Sequence, residues 1–321
     1  MFQTLVLVAV ALLGACVGSF LNVVIYRVPA RSFLSGGKRS HCPKCGVQIK
    51  WIDNIPIVSW LFLRGKGRCC GNPISPRYPF VEALTAGVLL WVFYVTVGHR
   101  LPQTLEPGWI SPGWEHWGKF VFHAWFLSIL IACTFIDFDH RILPDVLTKP
   151  TMVVGVVGAV LVPGFVGEGF AKQGVPDAFE RAAYSVVGLV CGLALTQGIR
   201  VGASKVFRRE AMGFGDVKFM GAIGVFVGWD GTLSTFFIGS MLGALYGGLH
   251  QLITKEGQIF FGPFLAVGAV ITLFFKRDIV TFVTQTWPNW QAANAGSPWV
   301  MGGIALVAAA LLFFIIRRGR R

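Results

Sequence analysis

The chain is 321 residues long, 54% hydrophobic and only 13% charged, with a formal net charge of +13. Its mean hydropathy of +0.65 carries more apolar surface than a soluble core can use, so a soluble globular domain is excluded and the chain belongs in a bilayer. The positive charge is read as membrane topology and attraction to anionic headgroups, not as a nucleic-acid surface.

Apolar blocks of a length that spans the hydrocarbon begin near residues 4, 80, 119, 147, 178, 216, 232, 259 and 298. They predict an all-α polytopic membrane protein of eight to nine transmembrane helices, with a small cytosolic cysteine-containing loop subdomain. No Lys or Arg precedes the run that starts at Thr4, so residues 1–26 read as a first membrane helix and not as a removable signal. Leu13-Gly14-Ala15-Cys16 has the form of a lipoprotein processing box without its basic flank; Cys16, like Cys133 and Cys191, is expected to be a small packing residue. Tyr26 and Arg27 anchor that helix at the interface and Pro29 stops it.

Residues 27–79 change character, becoming basic and rich in Gly, Pro and Cys, too short to bury a core without a staple. Residues 80–275 read as membrane core joined by short loops, and 276–321 as an outer loop and an extra C-terminal span. Trp109, Trp114, Trp117, Trp287 and Trp290 fall in the expected outer loops, as an aromatic belt would. With nine helices, 22 of the 28 Lys and Arg fall on one face. The positive-inside rule makes that face cytoplasmic, which places the N-terminus outside and the cysteine loop inside.

His41-Cys42-Pro43-Lys44-Cys45-Gly46 has the form of a zinc knuckle, two thiolates three residues apart on a tight turn. Its partner is irregular: Arg68-Cys69-Cys70-Gly71 offers adjacent cysteines, whose side chains diverge on an extended backbone, and Gly67 stands where a CxxC ending at Cys70 would begin. Cys42, Cys45 and Cys70 are the expected ligands of a structural zinc, with Cys69 or His41 completing the set. The alternative is a metal-free loop of reduced cysteines, and a reducing cytoplasm disfavours disulfides.

Acidic residues number only 15, so those touching membrane segments need a reason. Asp137, Asp139 and Asp145 lie where the third predicted helix turns into the fourth, and Gly213-Phe214-Gly215-Asp216 opens the sixth on the same face. Two carboxyls brought close share a proton, and such a pair performs general acid and base hydrolysis of an amide. Gly213 and Gly215 are expected to let the backbone bend and approach a substrate, and the helix start favours the charge of Asp216. Asp139 and Asp145 read as caps or interface residues.

These blocks, in this order, resemble the bacterial type IV prepilin peptidases, which are GxGD-type aspartyl proteases with leader peptidase and N-methyltransferase activities. The resemblance takes in Gly18 to Pro29, the Cys42 and Cys45 knuckle, Asn54 to Trp60, Pro73 to Glu82, Asp137 to Asp145, Gly213 to Lys218 and Phe261-Gly262-Pro263-Phe264. It implies that Asp137 and Asp216 are the catalytic aspartates, needing no cofactor for proteolysis. The implied substrate is the basic leader of a prepilin or type II secretion pseudopilin, cut after a glycine at the cytoplasmic face of the inner membrane. S-adenosylmethionine is the implied methyl donor for the new N-terminus, with the Arg77 and Glu82 region associated with that step. Two departures stand out: the family's second CxxC is replaced by Cys69-Cys70, and the tail from about Lys276 adds a span.

Two other classes compete with the enzyme. An ion-coupled transporter would want acids near mid-bilayer and usually a repeat, and the sequence shows neither. A non-catalytic assembly scaffold would have no need to keep both aspartates.

Overall fold

The computed structural model describes residues 2–30, 41–42, 44–101, 112–166, 177–208, 210, 212–254 and 260–294. The described residues are helical, with two isolated β-bridges, His41 to Gln48 and Lys66 to Pro73. In chain order the helices are α1 (Phe2–Arg27), α2 (Val58–Phe62), α3 (Arg77–Thr96), α4 (Trp114–His140), α5 (Asp145–Leu161), α6 (Ala178–Phe207), α7 (Phe214–Thr254), α8 (Gly262–Thr281) and α9 (Trp287–Asn294). Five of them, α1, α3, α4, α6 and α7, are long and apolar enough to cross a bilayer. The chain forms two compact units, Met1–Leu273 and Phe274–Arg321. In the second, Trp287 and Trp290 stack at 5.2 Å within α9.

The predicted helix starts lie close to the observed ones, with one instructive difference. The blocks expected from 216 and 232 form one element, α7, broken at Gly228 (φ 77, ψ 177). Only glycine reaches that backbone conformation without strain. Trp114 and Trp117 sit in the first turn of α4 and not in a loop. The span expected from about 298 and Trp109 lie outside the described residues.

Small residues set the registers of this bundle, as they do where a bilayer provides no hydrophobic drive between helices. α1 and α3 run antiparallel. Gly14 meets Ala86, Gly18 meets Glu82, and the Asn22 amide donates to Tyr78 O at 3.1 Å. Along α6 and the first half of α7, Tyr184 lies on Gly228, Gly188 on Gly224 and Gly192 on Met220, and Arg200 Nε donates to Met212 O at 3.0 Å. Each step of four residues up one helix is a step of four back along the other, which puts Thr196 level with Asp216. The second half of α7 returns against α8, with Gly231 against Thr272 and Gly239 against Leu265. Phe126 and Phe226 stack at 4.2 Å between α4 and α7, and Cys133 is fully buried in the same core.

Candidate active site and metal centre

α4 terminates where Arg141 adopts φ 56 and donates its backbone N–H to Asp137 O at 2.9 Å. Asp137 therefore lies in the last turn of α4, and it is only 6% exposed. The chain turns through Leu143 and Pro144 into α5, and Asp216 lies in the first turn of α7. Leu143 joins the two places. A Cβ added at Gly215 would lie 3.1 Å from Leu143 Cβ, and one added at Gly262 would lie 3.5 Å from Leu143 Cδ1 and 2.7 Å from Asp137 Oδ2. The backbone amides of Gly262 and Gly213 approach Asp137 and Asp216 respectively. Asp137 Oδ2 is nevertheless buried without a hydrogen-bond partner among the described residues.

A buried acceptor with no donor is costly unless it is protonated or meets a reactant. An oxygen in that state is suited to hold or receive a proton. Gly213 and Gly215 serve this arrangement differently from the sequence expectation. Neither has positive φ, and at Gly215 the constraint is the close approach of Leu143.

Asp139 and Asp145 do more than cap. Asp145 opens α5 after Pro144, as expected, but it also accepts from Lys218 Nζ at 2.6 Å and Lys149 Nζ at 2.8 Å. It thus ties the starts of α5 and α7 together two residues beyond Asp216. Arg77 Nη1 is 2.7 Å from Asp139, and its guanidinium covers the Phe135 ring at 4.9 Å, tying the start of α3 to the end of α4. Sequence signals for these pairs were weak, because opposite charges 62 and 73 positions apart show no spacing pattern.

Glu82 is 8% exposed. Its Oε2 accepts the Ile57 N–H at 2.7 Å, and its backbone packs against Gly18 of α1. Ile57 has φ 62 and ψ −52, a strained conformation for a β-branched residue. The cost is met by fixing the loop to α3.

The cysteine loop folds as two tight turns. Gly46 N–H donates to Cys42 O at 2.9 Å and Gly71 N–H to Gly67 O at 2.7 Å, with φ 72 at Gly46 and 66 at Gly71. The second turn corrects the expectation for Cys69 and Cys70: on a turn, and not an extended strand, adjacent thiols converge. The Sγ atoms of Cys42, Cys45, Cys69 and Cys70 all lie within 4.8 Å of one another. Cys42 and Cys70 are 3.7 Å apart, Cys45 and Cys69 3.2 Å, and Cys69 and Cys70 3.8 Å. Tetrahedral zinc with bonds of about 2.3 Å requires S···S separations of about 3.8 Å, so the four thiols fit that ion. The backbone amides of Cys45 and Lys44 hold the Cys42 thiol down to about 6, so it is ready as a thiolate. The hydrogen bond with Cys45 pushes Cys69 up to about 12. His41 is exposed and pairs through its backbone with Gln48, and the sulfur cluster is complete without it.

Comparison with known proteins agrees with this layout. Residues 12–105 match the model of the Bacterial Peptidase A24 N-terminal domain, and residues 124–248 match that of the Type IV leader peptidase family. A "Prepilin leader peptidase/N-methyltransferase" of Myxococcus xanthus is 37% identical over 79% of this chain, which spans 65% of that relative's length. The "Type 4 prepilin-like proteins leader peptide-processing enzyme" of Escherichia coli O78:H11 is 34% identical over 82% of this chain and 91% of its own length. A "Prepilin leader peptidase/N-methyltransferase" of Aeromonas hydrophila is 34% identical over 84% of this chain and 91% of its own. No solved structure matches the chain.

Proposed function

The chain belongs to the type IV leader peptidase family, and from that membership we propose that it is a membrane-embedded prepilin leader peptidase that also N-methylates its product. Its substrates are prepilins or type II secretion pseudopilins, whose basic leader is cut after a glycine. Asp137 and Asp216 carry the cleavage: the ionised member takes a proton from water as the water attacks the scissile carbonyl. The protonated member donates to the carbonyl oxygen, and the proton balance is restored through the departing amine.

What supports this reading is that Leu143 packs beside both Gly215 at the start of α7 and Gly262 next to Asp137, and that Asp137 in the last turn of α4 has a buried, unsatisfied oxygen. Both acids lie at helix ends. An ion pathway would want them near the middle of the bilayer.

The new N-terminus is then methylated, S-adenosylmethionine supplying the methyl group. Cys42, Cys45, Cys69 and Cys70 would hold a structural zinc that staples the cysteine loop, which is too small to fold on a core of its own. The concentration of Lys and Arg orients the end that bears the acids and the cysteines towards the cytoplasm of a bacterial inner membrane, with the N-terminus on the periplasmic side.

One reaction tests both activities. The purified protein is mixed with a pilin-like precursor and isotopically labelled S-adenosylmethionine, and the product masses are read. A mature chain shortened at the glycine and heavier by one labelled methyl group is expected; an uncut precursor would overturn the assignment.

A further inference from the structure

The segment between the two cysteine turns bears an exposed apolar edge. α2 presents Val58, Leu61 and Phe62 on one face, at i, i+3 and i+4, and Phe62 is 84% and Leu61 61% exposed. Just before it, the 3-10 turn Trp51–Asn54 exposes Trp51 at 80% and Ile52 at 50%. The turn and the helix are one piece, since Ser59 Oγ donates to Ile52 O at 2.8 Å. Trp60, on the other side of α2, is engaged inward, with Nε1 donating to Ile74 O at 3.1 Å and its ring against Gly65. The exposed residues are thus an outward face of an ordered segment.

The height of that face along the bundle is fixed. Ile57, directly before α2, donates to Glu82, the sixth residue of α3, whose backbone packs against Gly18 of α1. Five residues of rise at about 1.5 Å each carry Glu82 about 7.5 Å along α3 from Arg77, the last basic residue before the apolar run. A polar headgroup layer occupies about 5–7 Å of each leaflet, so the level of Ile57 is that of the boundary between headgroups and acyl chains. Lys50 and Arg64, both exposed, flank the apolar edge, where they would meet anionic lipid phosphates.

We propose that Trp51, Ile52, Val58, Leu61 and Phe62 form an interfacial foot that rests in the phospholipid leaflet at the basic end of the bundle. The foot holds the cysteine loop down on the membrane surface. Its occupant is lipid and not another protein, because the segment is clamped to membrane helix α3 through Ile57 and Glu82 at headgroup depth.

The test uses the full chain in nanodiscs of phosphatidylglycerol and phosphatidylethanolamine, with a benzophenone amino acid replacing Phe62 or, separately, Trp51. A third variant, replacing exposed Lys66, is the control. Illumination followed by mass spectrometry reads what each position touches. Lipid adducts at 62 and 51 are expected, at least fivefold above those at 66. Equal lipid labelling at all three positions would overturn the proposal, as would adducts at 62 and 51 only to the chain itself or to an added pilin-like peptide. The readout is lipid contact, so it stands or falls independently of the cleavage chemistry.

Discussion

Gly262 shows how little room surrounds the buried acid. A methyl group there would sit 2.7 Å from Asp137 Oδ2, and the end of a side chain yields more readily than backbone. Gly262→Ala is therefore expected to cost little stability, about 1 kcal/mol or less, and to displace the carboxylate. Displacement by about 1 Å costs on the order of 10²-fold in rate, so leader cleavage by the purified variant should fall steeply while its melting temperature barely moves. The two acids stood out in the sequence because carboxylates are rare in apolar chains and these two fall on one predicted face, and the resemblance alone singled them out as a catalytic pair. Glu82 and Ile57 were not: their bond depends on a strained backbone angle and a contact 25 positions apart. The adjacent Cys69 and Cys70 misled for a related reason, since only the turn closed by Gly71 brings their thiols round.

At the scale of elements, the seam between α6 and α7 sets where Asp216 stands. A Cβ at Gly188 would lie 2.2 Å from the backbone oxygen of Gly224, an atom that cannot swing away. Gly188→Val should therefore push the helices apart at a cost of about 1–3 kcal/mol or more. A thermal-shift measurement in detergent should show it, and cleavage should fall with it although Gly188 is two turns of helix from Thr196, the residue level with Asp216. Hydropathy was enough to find the helices, because long apolar blocks are set by bilayer thickness. Its separate blocks from 216 and 232 fall on the two sides of the break at Gly228, but it carried no information on the small-residue registers that decide which ends meet.

The membrane core is joined to the small cysteine loop through the bond from Ile57 to Glu82 and the proposed lipid foot. If zinc staples the loop, the purified protein should carry about one zinc per chain. Stripping it with a chelator should expose Arg64, Lys66 and Arg68 to trypsin while the helical circular dichroism signal is kept. Metal-free protein with an equally resistant loop would contradict the staple. The sequence offered the four cysteines as separate pairs, and it took the folded chain to bring their thiols within 4.8 Å of one another. The central claim is that Asp137 and Asp216 work as one catalytic pair, and leader cleavage by Asp137→Asn and Asp216→Asn, each purified and shown to be folded, tests it most directly. Each variant should lose about 10²–10⁴-fold in rate, with a melting temperature close to that of the unaltered protein; undiminished cleavage by either one would contradict the account.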